Sequence, residues 1–91
     1  MTVPRLAPSA RLRWDHRAEC FMLLYPERGL VLNDAGYAAL SLCNGRRRTH
    51  DMALILARRF AVDDIDSVLA ALNVFLGRLG KLGVIESAER S

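Results

Sequence analysis

The side chains able to do chemistry are few, and their spacing argues against a reactive centre. Cys20 and Cys43 belong to no C-x-x-C pair, and two cysteines do not make the disulfide framework of a small secreted fold. They read as small core residues with reduced thiols. His16 falls in a turn and His50 near a helix start. Neither has a Cys, Asp or Glu at metal-ligand spacing, so no zinc or other metal site is expected. No Ser, His and Asp constellation is evident, so no catalytic residue is assigned and the chain is read as a non-enzyme without a cofactor. Gly77, Gly80 and Gly83 recur at steps of three, but at a helix end rather than between a strand and a helix start, so they are not a phosphate loop. The strongest charge run is Arg46-Arg47-Arg48. It is either a solvated loop or a surface for acidic residues of a peptide or partner protein, and it stands as the candidate partner-binding site.

The elements that must carry these residues follow from hydrophobic period. Residues 1–9 contain Pro4 and Pro8 and read as a flexible lead-in. Arg11-Leu12-Arg13-Trp14-Asp15 alternates with period two, so Leu12 and Trp14 share one face of a strand. After the break His16 to Glu19, Cys20 to Tyr25 is apolar on both faces. Pro26-Glu27-Arg28-Gly29 reads as a turn, with proline where φ near −65° helps and glycine where φ > 0 is cheap. Leu30-Val31-Leu32 is a short third strand. Three strands with tight connections form an antiparallel meander. The period then switches. Asn33 or Asp34 can cap a helix reaching about Cys43, ended by Asn44-Gly45. Thr49 can cap a second helix reaching about Phe60. A third helix begins among Asp63, Asp64 and Asp66, repeats apolar residues from Ile65 to Leu82 at steps of three and four, and ends at Gly83. Val84-Ile85 packs back on the core, and residues 86–91 read as a frayed tail. The expected architecture is α+β: an N-terminal three-stranded antiparallel sheet followed by three helices, winged-helix-like, in a single domain over residues 1–91.

Composition agrees with a binding module. The chain has 91 residues, 52% hydrophobic and 25% charged. A chain of this size buries only about 60–65% of the surface its unfolded form exposes, which leaves little room for both a core and a catalytic cleft. Lys81 is the lone lysine among 13 basic residues, and the net charge is +3. That excess permits weak attraction to acidic partners without demanding it. Residues 1–10 lack the apolar stretch of a secretory signal, and no apolar run nears the ~20 residues that span a bilayer. A cytoplasmic protein without membrane association is expected.

Several of these segments carry a resemblance. Pro4-Arg5-Leu6-Ala7-Pro8, Arg11-Leu12-Arg13-Trp14-Asp15, Leu23-Leu24-Tyr25-Pro26-Glu27-Arg28 and Leu30-Val31-Leu32-Asn33 resemble the PqqD family. So do the Leu42-Cys43-Asn44-Gly45 turn and the Leu79-Gly80-Lys81-Leu82-Gly83 helix end. The likeness covers about residues 4–85, with Asn44 standing where Asp is more usual. It implies a peptide chaperone of pyrroloquinoline quinone biosynthesis, which binds the precursor peptide PqqA and presents it to the radical SAM enzyme PqqE. It also implies a binding mode, in which the peptide adds a strand to the sheet and lies beside the last helix. Carried over residue by residue, the edge strand is Leu30, Val31 and Leu32, and the helix face is Val68, Leu69, Leu72, Asn73 and Leu76.

The residues agree with that implication up to a point. In a meander the outer strands leave main-chain groups unpaired, and an extended peptide can satisfy them. Leu30 and Leu32 face the core and Val31 faces outward. The last helix's apolar stripe is mostly core, so a groove would use its margin; Asn73, a polar position beside the stripe, either meets a peptide backbone or simply faces solvent. Met22 and Leu24 put extra apolar area on the face that should be wet, which points to contact with a partner, a second copy or the lead-in. The exposed edge and the lead-in also allow a swapped homodimer. The rivals are a recognition element for a different ribosomally made peptide and a winged-helix DNA-binding protein. The second fits poorly, because the three aspartates at the start of the last helix repel phosphates and the middle helix offers few base readers beyond Arg58 and Arg59. No nucleic acid partner is expected.

Overall fold

A computed structural model describes residues 3–88. In chain order the elements are β1 (Pro4–Leu6), β2 (Arg11–Asp15), β3 (Cys20–Tyr25), β4 (Arg28–Leu32), α1 (Asp34–Ser41), α2 (Thr49–Arg59), α3 (Ile65–Lys81) and β5 (Ile85–Ser87). The expected α+β plan is present. β2, β3 and β4 form an antiparallel meander in that spatial order, and β1 pairs with β5 in a separate two-stranded ribbon.

Register explains which face is covered. Leu12 lies opposite Leu23, and Leu23 opposite Leu30; Trp14 lies opposite Phe21, and Phe21 opposite Leu32. These rows face the helices. Leu23 is fully buried, joined in the core by Leu40 of α1, Met52 of α2 and Leu76 of α3. Phe21 stacks on Tyr37 of α1 at a centroid distance of 3.6 Å, with Trp14 edge-on to Phe21 at 4.8 Å. Such ring pairs add about 0.5–1.5 kcal/mol beyond the area they bury.

Local chemistry sets the helix ends. Asn33 caps α1, its side chain accepting from the Gly36 N–H at 2.7 Å. Asp64 caps α3 by accepting from the Ser67 N–H at 3.1 Å. At the end of α3, Gly83 takes φ 78°, and the Val84 and Gly83 N–H groups bond back to Leu79 and Gly80. This is the left-handed closing turn expected of a glycine after a helix.

Four expectations need correction. Residues 4–6 and 86–87 lie in strands rather than in a loose lead-in and tail: Arg5 pairs with Glu86 in the ribbon and forms an ion pair at 2.7 Å. Pro4 is fully buried at the first position of its strand, where a missing N–H is tolerated. Three-residue strands show no measurable period, and these two lie 81 residues apart at Arg5 and Glu86, so nothing local announces the pair. Met1, Thr2 and residues 89–91 lie outside the described residues. Second, the β3–β4 turn is shorter than expected: Tyr25 is opposite Arg28, leaving only Pro26 and Glu27 in the loop. Glu27 takes the positive φ, 62°, and Gly29 is inside β4. Third, Arg48 occupies the cap position of α2 without a side-chain cap bond, and Thr49 is a buried first-turn residue. Fourth, α1 stops at Ser41, because the Leu42 and Cys43 N–H groups turn back to Ala39 and Leu40, three residues away.

Candidate functional site

Among the described residues β4 has a neighbouring strand on one side only, so its other side is an open edge. The hairpin shows which groups that edge offers. A two-residue loop makes Tyr25 and Arg28 the closing, hydrogen-bonded pair. Bonded and non-bonded pairs alternate along an antiparallel ladder. Leu30 and Leu32 therefore bond to β3, while the N–H and C=O of Gly29 and Val31 point away from it. Val31 is 70% exposed.

A groove begins where β4 ends. It has a volume of about 450 Å³ and is walled by three helices. α1 supplies Ala35, Gly36 and Ala39 behind the Asn33 cap. α2 and the turn after it supply Leu56, Phe60 and Val62, and α3 supplies Val68, Ala71, Leu72 and Phe75, with Ser67 at its mouth. Apart from Asn33 and Ser67 the lining is apolar, and small residues make the room. A Cβ on Gly36 would stand 3.1 Å from Asn33 Oδ1 and 3.6 Å from Phe75 Cζ. The end of α2 shapes the far wall. Ala61 holds φ 54°, and the Val62 N–H reaches back to the Ala57 C=O at 2.8 Å. That bond fixes Val62 at the rim.

The expected site residues separate into groups. Val68 and Leu72 line the groove, Val68 half-buried and Leu72 as floor. Leu30 and Leu32 belong to the core side of the edge strand. Leu76 is 1% exposed and entirely core, and Leu69 packs against the core outside the groove. Asn73 is exposed and does not line the groove. Arg46 and Arg48 are exposed and Arg47 half-buried, in the loop before α2. The Gly45 N–H of that loop bonds to Pro4, beside the β1–β5 ribbon. The groove uses the opposite end of α2, about 16 Å away along an 11-residue helix. The arginine run is thus no part of the groove.

Sequence reasoning missed Asn33, Gly36, Ala39, Leu56, Phe60, Val62, Ala71 and Phe75 as lining. A signal existed for part of it. Val68, Ala71, Leu72 and Phe75 follow the three-four spacing of one helix face. Ala35, Gly36 and Ala39 set small side chains at the same spacing on α1, and a hollow needs small side chains. Among the described residues no cluster of His, Cys, Asp or Glu could hold a metal ion, and no helix is long and apolar enough to cross a membrane. Cys43 is buried, donating to the Ala39 C=O at 3.4 Å, and burial pushes its thiol up to about 12.

The family model for coenzyme PQQ synthesis protein D matches residues 20–85. The chain belongs to the PqqD family. The PqqA binding protein of Bradyrhizobium diazoefficiens is 31% identical over 85 residues, covering 93% of this chain and 82% of that protein. The PqqA binding protein of Pseudomonas aeruginosa is 37% identical over 75 residues, covering 80% of this chain and 82% of that one. Among solved structures, the PqqD truncation of Methylobacterium extorquens PqqCD superimposes with a TM-score of 0.78 at 34% identity, covering 92% of this chain and 88% of that chain. That NMR structure represents a functional, stand-alone recognition element for ribosomally synthesised and post-translationally modified peptides. The PqqD family match runs from the start of β3 to the first residue of β5, so both the β4 edge and the groove lie inside it.

Proposed function

We propose that this PqqD family member is a non-catalytic peptide chaperone of pyrroloquinoline quinone biosynthesis. It binds the precursor peptide PqqA by strand addition and presents it, in the cytoplasm, to the radical SAM enzyme PqqE. The observation that carries this reading is the open edge of β4 running directly into an apolar groove. A peptide strand beside β4 bonds to the outward groups of Gly29 and Val31. Its alternate side chains on the helix side enter the groove between Gly36, Val68 and Phe75. Main-chain pairing supplies affinity that tolerates many sequences, and the groove supplies selection. Relatives named for PqqA binding support the choice of peptide. Holding the peptide near the enzyme raises its effective concentration, which assists the reaction without chemistry by the chaperone. A homodimer formed through the β4 edge would compete with the peptide for the same groups.

The test is a calorimetric titration of the full chain with synthetic PqqA, followed by NMR shift mapping. Saturable binding with shifts at Gly29, Val31, Gly36, Val68 and Phe75 is expected. No binding, or shifts confined to Arg46 to Arg48 and the β1–β5 ribbon, overturns the assignment. Tighter binding of a different precursor peptide assigns the same edge and groove to another pathway.

A further inference from the structure

The meander has a second face, and no element among the described residues covers it. All three helices pack on the side of Leu12, Leu23 and Leu30. The opposite side carries two full rows set by the register, beside the pair Asp15 and Cys20. One runs Arg13, Met22, Val31 across the three strands, and the other runs Arg11, Leu24, Gly29. Each row begins with a cation on β2 and turns apolar toward β4. Met22 and Leu24 lean into the room Gly29 leaves: a Cβ there would stand 3.0 Å from Met22 Cε and 3.2 Å from Leu24 Cδ2. Arg11 and Arg13 are exposed, and among the described residues neither pairs with a carboxylate. Asp15, the acidic residue on this face, has Oδ1 engaged by the N–H groups of Arg17 and Ala18. A depression of about 330 Å³ opens between Arg13, Trp14, Asp15, Met22, Leu24 and the turn residues His16 and Arg17.

We propose that this outer sheet face is the docking surface for a protein partner that presents carboxylates beside an apolar ridge. The inference rests on the peptide-chaperone reading and deepens it. Charge complementarity selects the occupant, because unpaired arginines along β2 call for acid and the Met22, Leu24, Val31 strip calls for apolar contact. The arginines lie one strand spacing, about 4.8 Å, from Met22 and Leu24, and two spacings, roughly 10 Å, from Val31. A peptide paired to β4 lies next in each row, and its outward side chains extend the apolar strip by one strand. The partner then meets a surface made jointly by chaperone and peptide. The face and the groove lie on opposite sides of the sheet, so one protein can hold both at once. Linkage makes the coupling reciprocal: whatever factor the peptide adds to partner affinity, the partner adds to peptide affinity.

The test uses the full chain, synthetic PqqA and purified PqqE as the partner probe. Wild type is compared with R11E/R13E and, separately, with M22S, after NMR confirms that each variant is folded. Expected are peptide affinities within twofold of wild type, PqqE affinity at least tenfold weaker for R11E/R13E, and a peptide-dependent gain in PqqE affinity in wild type only. PqqE affinity that is unchanged in both folded variants overturns the proposal while leaving the chaperone reading intact. A wild-type dimer that R11E/R13E or M22S dissolves overturns it too, since the face then serves a second copy of this chain. Failure of wild type to bind PqqA sinks the chaperone reading, and the inference falls with it.

Discussion

Replacing Val31 by proline tests the edge-strand site directly. Val31 lies opposite Met22 in a non-bonded pair, so its N–H points to the open side and contributes nothing to the β3–β4 ladder. Proline removes that donor and puts ring carbons where the N–H stood. Leu30, the preceding residue, is already extended, as the residue before a proline must be. The variant should therefore stay folded. A peptide paired to β4 loses one hydrogen bond, and its own carbonyl is left facing the ring. An unmet acceptor of this kind costs about 1–3 kcal/mol. At about 1.4 kcal/mol per factor of ten, PqqA affinity should fall roughly 5- to 150-fold. Calorimetry reads the affinity, and a heteronuclear NMR spectrum reads the fold. Two controls separate main chain from side chain. V31T keeps the N–H and should bind within about twofold of wild type, since the side chain lies on the face away from the groove. L30P removes a donor to β3 and should destabilise the hairpin itself. A folded V31P that binds PqqA as tightly as wild type would refute strand addition at β4.

Other consequences follow from single positions. Ala61 holds the left-handed conformation that glycine usually fills after a helix, and an L-residue there costs about 1–2 kcal/mol. A61G should raise stability by about 1 kcal/mol in urea denaturation with the peptide site intact. G36A gains helix propensity of about 1 kcal/mol but crowds the Asn33 cap oxygen and takes up groove space beside Phe75, so stability should change little while PqqA binding weakens. A Cβ on Gly77 would meet nothing within 4 Å, so no close backbone approach explains that glycine, and G77A should stabilise α3 by about 1 kcal/mol. Burial holds the Cys43 thiol neutral to about 12 in the folded chain, against 9.0 for a free thiol. The contribution of Cys43 to folding stability is then full below pH 9 and falls by about 1.4 kcal/mol per pH unit between 9 and 12, because this thiol ionises there only in the unfolded chain. Thiol titration near neutral pH should label the half-buried Cys20 first and reach Cys43 only on unfolding.

Much of the fold was legible because its signals are local. The period-two run Arg11 to Asp15, the Asn33 cap and the Gly83 stop each place an element end from a few neighbouring residues. The β1–β5 ribbon was not legible, since its pairing joins opposite ends of the chain and neither strand is long enough to show a period. The groove was half legible. Leu72 and Val68 stood out as apolar, whereas Gly36, Ala39 and Ala71 matter for volume they do not fill, and a hydrophobic stripe does not register missing atoms. Leu76 shows the converse error. Its place in the helical repeat marks it as apolar, but only packing distinguishes a groove wall from the centre of the core.

The open edge itself turns on a finer point. A four-residue turn from Pro26 to Gly29 would close the hairpin at Tyr25 and Leu30. The two-residue turn closes it at Tyr25 and Arg28 instead. The difference is a slip of two residues, and a slip of two leaves every side chain on its original face. Val31 consequently points outward under either register, and the edge-strand reading survives an incorrect turn. What changes is the length of the edge. The shorter turn draws Gly29 into β4 as a second residue with outward main-chain groups, so a peptide can make up to four backbone bonds there rather than two. The residue that permits this is Glu27, which accepts φ 62° so that glycine can serve in the strand. Gly29 in turn keeps its outer side clear for Met22 and Leu24. One strained position in the turn thereby lengthens the edge open to a peptide and leaves room for the apolar strip on the outer face.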